Sequence, residues 1–443
     1  MRLASGIRPG VFFLTILGFL VWQFGAARER GPRVEVRCPS APVPVKLVEQ
    51  QAFVYELHVT NFDSVPLTLN HLEVFADAEK TQPLVAISGD GLSKLIIEVG
   101  ADMHAKSSQT IAPGKRSVLF MFVTQPLDRQ TPNVLRHRIT FAAGAHSGAA
   151  TETVLDDFPV TVSKDLAPLL RSPFEGGSWF AGEGPSNDSD HRRTITAVDG
   201  QVNIAQRFAI DWVKVGPNGD SHHDGTTRNE NWWGYGEPIH AVADGEVTKV
   251  VDGIPENTPR VLPKTVTLDN IAGNYVTVRI AANRYATYAH LQNGSIRVHL
   301  HDQVHGGDVL GRLGNSGNAT APHLHFQLTD GNSVLQSEGV PFIFNKFTYL
   351  GPGSEYEADK HLSIPRDHSI PGNNDVVEFA PAKVSRTGTF SNFHFLGIPI
   401  PRRPLPQARA YTNATLHSRR AHRRTTFRTL GSAPSPENRM AHR

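Results

Sequence analysis

Along most of this chain, apolar and polar residues alternate with a period of two in short runs broken by turn residues. Between about Val34 and Val162 such runs include 53–60, 67–75, 117–123 and 137–141. Alternation of this kind places one face of each strand in a core, and its spacing predicts an antiparallel β-sandwich over residues 34–165. No side chains with evident chemistry cluster there, so its expected job is packing, spacing or partner binding. Residues 166–190 are rich in Pro, Gly and Ser and read as a linker. Alternation resumes from His191 to about Leu350, with Asp199-Gly200 and Asp244-Gly245 as hairpin signals. Residues 351–443 are polar and Pro-rich, with an Arg-rich end, and read as a disordered tail. Little of the chain has helical period, so the expected fold class is all-β.

At 443 residues the chain has room for two or three domains, and 39% hydrophobic with 19% charged residues is a globular composition. The net charge of +2 hides an uneven distribution: Pro401–Arg443 holds ten arginines against one acid, Glu437. Arg2 and Arg8, an apolar run from Val11 to about Gly25, and small residues before Arg28 read as a signal peptide or membrane anchor over residues 1–28. The expected location is therefore exported: periplasmic, cell envelope or secreted. Export argues against a nucleic-acid partner for the basic tail and for anionic wall polymers, lipid or plain solvent. Membrane contact is expected only through the N-terminal segment if it stays uncleaved. The single cysteine, Cys38, excludes an intrachain disulfide.

Chemistry concentrates near Pro322-His323-Leu324-His325-Phe326. Histidines at i and i+2 on a strand share a face, while Leu324 and Phe326 cover the other. Imidazole is a common zinc ligand and a general base near neutral pH. A Gly/Asn-rich loop, Gly314-Asn-Ser-Gly317-Asn, feeds this strand, and such a loop lets the backbone approach a ligand closely. Upstream lie Tyr288-Ala-His290-Leu291, the segment Gly236–Val247, and Arg207-Phe-Ala-Ile-Asp211.

Together these blocks resemble the lysostaphin/LytM-type zinc metallopeptidases, peptidoglycan-cleaving endopeptidases, over roughly Gln206 to Leu328. The resemblance implies a lysostaphin-type antiparallel β-sheet peptidase domain within 191–350, with zinc as cofactor. It matches Asp211 and His325 to metal ligands, and His290 and His323 to the two histidines beside the reacting water. The implied activity is hydrolysis of peptide bonds, with peptidoglycan cross-links or another exposed peptide as substrate.

The family's first zinc-ligand histidine stands four residues before the aspartate, where this chain has Arg207. A guanidinium stays charged and cannot ligate zinc. Residues 191–211 read as one hairpin turning at Asp199-Gly200. A three-residue loop with a G1 bulge sets His191 opposite Arg207, on the face of Asp211, so that His191 becomes the third ligand. A two-residue type I′ loop shifts the register by one and takes His191 off that face.

His222 and His223, in the insertion from Gly216 to Asn231, are weaker candidates, as is Gln206. His240 reads as structural, and His299, His301 and His305 as solvated. Trp232, Trp233 and Tyr235 read as core or as the wall of a substrate groove. Loss of the usual histidine leaves an alternative function: a catalytically degenerate member that binds cell wall or regulates another hydrolase. Half-motifs of a biotin- or lipoyl-carrier sandwich are also visible at 243–250 and 307–314, but no modifiable lysine stands at the corresponding tip.

Overall fold

The computed structural model describes residues 31–76, 82–101, 108–143, 151–216, 219–261, 263–356 and 361–380. The segment read as signal peptide or anchor and the Arg-rich stretch beyond 380 lie outside the described residues. Among the described residues, no helix is long and apolar enough to cross a membrane.

The first half folds as two five-stranded antiparallel sheets. One sheet is built around the paired strands Gln50–Asn61 and Arg116–Pro126. The other is built around Leu67–Ala76 and Val134–Ala143. Phe53, Tyr55, Leu57, Val59, Leu119, Met121 and Val123 point inward against Leu69, Leu72, Val74, Ile139 and Phe141. The intervening residues are not solvated, as they would be on the outer face of a free-standing sandwich. Ala52 and Val54 join the core of the second half, and Val118 and Phe120 pack on Ile204. The first sheet is therefore buried on both faces, and the two halves share a boundary.

That boundary contains charge. Glu56, on the outward face of Gln50–Asn61, is 1% exposed and pairs with both Arg192 and Arg207. Arg207 Nη2 lies 2.8 Å from Glu56 Oε2 and 2.5 Å from Glu338 Oε2. Arg192 also donates to the carbonyl of Tyr55 at 2.8 Å and lies over the Phe120 ring. Two acids balance two arginines. Removing one partner of such a buried set typically costs about 3–5 kcal/mol, because it strands the other charge.

The second half is organised by an eleven-stranded sheet. Its central strands run in the order Ile343–Pro352, Asp375–Phe379, Gly177–Gly182, Ile210–Val215, Leu324–Thr329, Arg284–Leu291, Asn274–Ala281 and Gly245–Val251. Neighbours among these strands are antiparallel. The all-β class read from the sequence is the one observed. Two boundaries differ from the sequence reading. The segment read as a linker contributes Gly177–Gly182, which lies inside the sheet and pairs on both sides. The segment read as the start of a disordered tail supplies Ile364–Ser369 and Asp375–Phe379, with Val376, Val377 and Phe379 buried. A Gly/Ser/Pro composition or a polar stretch describes the chain locally, and both segments gain their order from distant strands.

Candidate metal centre

Asp211 and His325 are cross-strand partners at the middle of this sheet. Each is held on both flanks, Asp211 also by Gly182 and His325 also by Ala289. Leu324, Phe326 and Leu328 fill the core behind them, which turns His325 and Gln327 to the opposite face. His325 Nδ1 lies 2.9 Å from Asp211 Oδ1. Its Nε2 donates to Gln327 Oε1 at 2.9 Å, and the Gln327 amide nitrogen in turn donates to the Val334 carbonyl. Gln327 thereby fixes Nε2 as an N–H and leaves Nδ1 to face the aspartate. The sequence reading did not single out Gln327. Its signal was present: positions 323, 325 and 327 share one strand face.

His191 arrives from outside the sheet. Asp190–Arg193 is a short helical turn following Gly177–Gly182. The expected hairpin register is wrong. Asp199 and Gly200 both have positive φ, 50° and 79°, and Val198 pairs with Gln201, so the loop is the two-residue type I′ form. The pairing stops at Thr196 and Asn203, and 205–208 are turns, so Arg207 is not in a strand. His191 nevertheless reaches the site by another route: its Nε2 lies 3.5 Å from Asp211 Oδ2. Its Nδ1 donates to the Glu183 carbonyl at 3.1 Å, leaving the Nε2 lone pair directed inward. Arg207 turns away toward Glu56.

The ligand-capable atoms of His191, Asp211 and His325 all lie within 4.8 Å of one another. Two imidazoles and one carboxylate are a donor set suited to catalytic zinc. The outer nitrogen of each imidazole is already committed to an oxygen acceptor, the second-layer arrangement that orients zinc-ligating histidines. The residues present therefore fit zinc.

His323 and His290 stand beside this group. His323 donates from Nδ1 to the Ala321 carbonyl at 2.8 Å and brings Nε2 to 3.5 Å from Asp211 Oδ2. Simple alternation would turn His290 to the core with Tyr288, because Ala289 is the partner of His325. Instead His290 has φ 61°, at an irregularity in the ladder between Asn274 and Val276. This left-handed residue re-aims the imidazole, so that its ring centre lies 4.7 Å from that of His323. The Ser316 carbonyl accepts from its Nδ1 at 2.8 Å and holds it there. The glycine-rich loop brings Ser316 close: a Cβ on Gly317, whose φ is 74°, would lie 2.2 Å from the Gly273 nitrogen.

Electrostatics separates these groups. Burial opposes charge on Asp211, but His191, His323 and His325 outweigh it and hold the carboxyl well below the usual carboxylate range. Burial pushes His191 down to about 4 despite the pull of Asp211. Burial, with His323 and His325 nearby, drives His290 well below the ordinary imidazole value. Burial would also lower His325, but the hydrogen bond and charge of Asp211 together with Gln327 raise it.

The other histidines lie elsewhere. The His222 ring packs on Trp232, and His223 pairs with Asp224. Among the described residues, the metal-capable group includes neither. Gln206 sits in the turn beside Arg207. His240 is buried and bonded to the Gly307 carbonyl, while His299, His301 and His305 pair with acids at the surface. Trp232 is buried and Trp233 is 36% exposed. Asp244-Gly245 is no hairpin tip: Gly245 opens a strand, and a Cβ there would lie 2.5 Å from the Arg279 carbonyl.

Two imidazoles and a carboxylate around one point, with two further imidazoles alongside, make a donor set that fits zinc. Residues 223–336 match peptidase family M23. The matched stretch includes His290, His323 and His325 and excludes His191 and Asp211. Solved structures similar to the chain include a mutant catalytic domain of the prophage-encoded M23 protein EnpA from Enterococcus faecalis. It has 23% identity over 39% of this chain and 92% of that one, with a TM-score of 0.22. The catalytic domain of lysostaphin from Staphylococcus simulans has 18% identity over 38% and 88%, with a TM-score of 0.20. A zinc-containing peptidase from Vibrio cholerae has 13% identity over 48% and 82%, with a TM-score of 0.17. The likeness to the M23 family is that of the matched stretch, and the low TM-scores add nothing to it.

Proposed function

We propose that the protein is an exported zinc metalloendopeptidase that hydrolyses peptide bonds, with peptidoglycan cross-links as substrate. The observation that carries this reading is the convergence of His191, Asp211 and His325, with His290 and His323 at their side. Zinc, when bound, supplies Lewis-acid polarisation of the scissile carbonyl and lowers the pKa of water. His191, Asp211 and His325 are the residues that would hold it. His323 and His290 each commit Nδ1–H to a backbone carbonyl, so each presents an Nε2 lone pair to the reacting groups. One takes the proton of the attacking water. Once protonated at Nε2, it becomes a donor to the developing oxyanion or the leaving amine. Burial, with His323 and His325 nearby, keeps His290 neutral. Export is supported by Arg2, Arg8 and the apolar run after them.

The degenerate alternative drew on Arg207. With His191 beside Asp211 the ligand set no longer lacks an imidazole, which favours the enzymatic reading. The test joins two measurements on the purified full chain: zinc content after dialysis against zinc, and release of new amino groups from purified peptidoglycan. One zinc per chain with release that stops on chelation is expected. A chain that holds no zinc, or holds it and cleaves none of several cross-link types, overturns the proposal.

A further inference from the structure

Of the three candidate ligands, two are fixed by the sheet itself. Asp211 lies between Gly182 and His325, and His325 between Asp211 and Ala289. His191 has no strand neighbours. Its ring is steadied by the Glu183 carbonyl, which also accepts from Ser189 Oγ at 2.7 Å. The backbone of its turn is gripped from the opposite side. Arg192, the next residue, is 0% exposed and reaches into the N-terminal sandwich. There it pairs with Glu56, donates to the Tyr55 and Met121 carbonyls, and lies on Phe120. Arg193 and Asn187, at the two ends of the same segment, also bond to sandwich carbonyls, those of Lys94 and Phe120.

We infer that the N-terminal sandwich completes the metal centre, with Arg192 as a positioning residue that sets His191 at ligand distance through Glu56. The inference rests on the proposed ligand set. The position where lysostaphin-type peptidases carry their first histidine here holds Arg207, which binds the same Glu56. One carboxylate of the sandwich thus holds both the residue in the old ligand position and the neighbour of the new ligand. The sandwich then belongs to the site, and is more than a spacer beside it.

Arg192 and Arg207 offer a matched pair for the test. Arg192→Met and Arg207→Met each remove one cation from Glu56 and leave it the other. A cluster that only rivets the two halves would suffer in both, whereas positioning of His191 singles out Arg192. Zinc affinity is measured on the folded full chain by competition with a chromogenic chelator. Cobalt(II)-substituted protein reports the ligand set through its visible absorption. Arg192→Met is expected to weaken zinc by about 10-fold or more and to change the cobalt spectrum in the manner of His191→Ala. Arg207→Met is expected to keep the wild-type spectrum and lose far less affinity. Should Arg192→Met not fold, Arg192→Lys carries the test with an intermediate loss expected, since it keeps the cation and gives up the fork. Wild-type zinc affinity in the Arg192 variant, or equal losses in both methionine variants, overturns the inference. If the wild type holds no zinc, or His191→Ala binds as the wild type does, the ligand set itself is wrong.

Discussion

His325 and Asp211 face each other across adjacent antiparallel strands, and their nearest atoms, Nδ1 and Oδ1, are 2.9 Å apart. Nε2 is committed as a donor to Gln327, so Nδ1 is the nitrogen that faces the carboxylate. Burial opposes charge on both groups, but their mutual attraction raises His325 and holds Asp211 down.

A ligating nitrogen must be unprotonated, so zinc uptake through Nδ1 is expected to compete with its protonation. Near neutral pH, calorimetric titration in buffers of different ionisation enthalpy should show net proton release that His325→Ala abolishes. Affinity should fall as pH drops through the raised His325 value. Metal uptake with no buffer dependence would contradict the assignment.

His191→Ala should lower zinc affinity about as much as His325→Ala. His222→Ala and His223→Ala should leave it unchanged, because neither ring belongs to the metal-capable group. Equilibrium dialysis with elemental analysis distinguishes these outcomes.

His323→Ala and His290→Ala should each keep zinc and lose turnover by about 10²-fold or more, the range for removing a general base or an oxyanion donor. Paired assays of zinc content and amino-group release decide this. Loss of zinc in either variant would move that residue into the ligand set.

Gln327→Leu strands the Nε2–H of His325 in a buried site. A fall in zinc affinity of about 10- to 100-fold is expected, with Gln327→Glu retaining more because it keeps an acceptor. Equal affinities for Leu and wild type would remove Gln327 from the site.

In the sandwich, His137 is fully buried. Its Nδ1 donates to the Phe158 carbonyl at 2.9 Å, and Nε2 accepts from the Tyr55 hydroxyl at 2.7 Å. Burial lowers it to about 4, the Phe158 carbonyl opposing weakly. The unfolded chain binds the proton first, so stability is full above about pH 6.5 and declines as pH falls toward 4. The loss from this residue is about 2–3 kcal/mol. Denaturant titrations across that window should give a shallower slope for His137→Gln.

The two strand periods were legible at once, and so was the shared face of His323 and His325, because alternation is a local property. His191 was identified by a register that does not exist. The real reason lies in Arg192 and Glu56, residues 136 positions apart, a separation no local pattern encodes. His290 was matched through a motif, while the left-handed backbone that aims it broke the very alternation used to read its strand. The strands at 177–182 and 375–379 were missed for a related reason. They are ordered by each other and by Ile210–Val215, and nothing in their own composition marks them.

Interleaving of this kind sets the timing of biosynthesis. The sandwich has all its own strands once Thr161 leaves the ribosome, while the outer face of its first sheet, with Glu56, waits for Arg192 and Arg207. The strand bearing Asp211 gains its second flank only when Leu324–Thr329 is made, and Gly177–Gly182 waits further for Asp375–Phe379. A nascent chain therefore carries both sheets of the sandwich well before Asp211 and His325 can meet. The metal-capable group can come together only after the strand bearing His325 has been made.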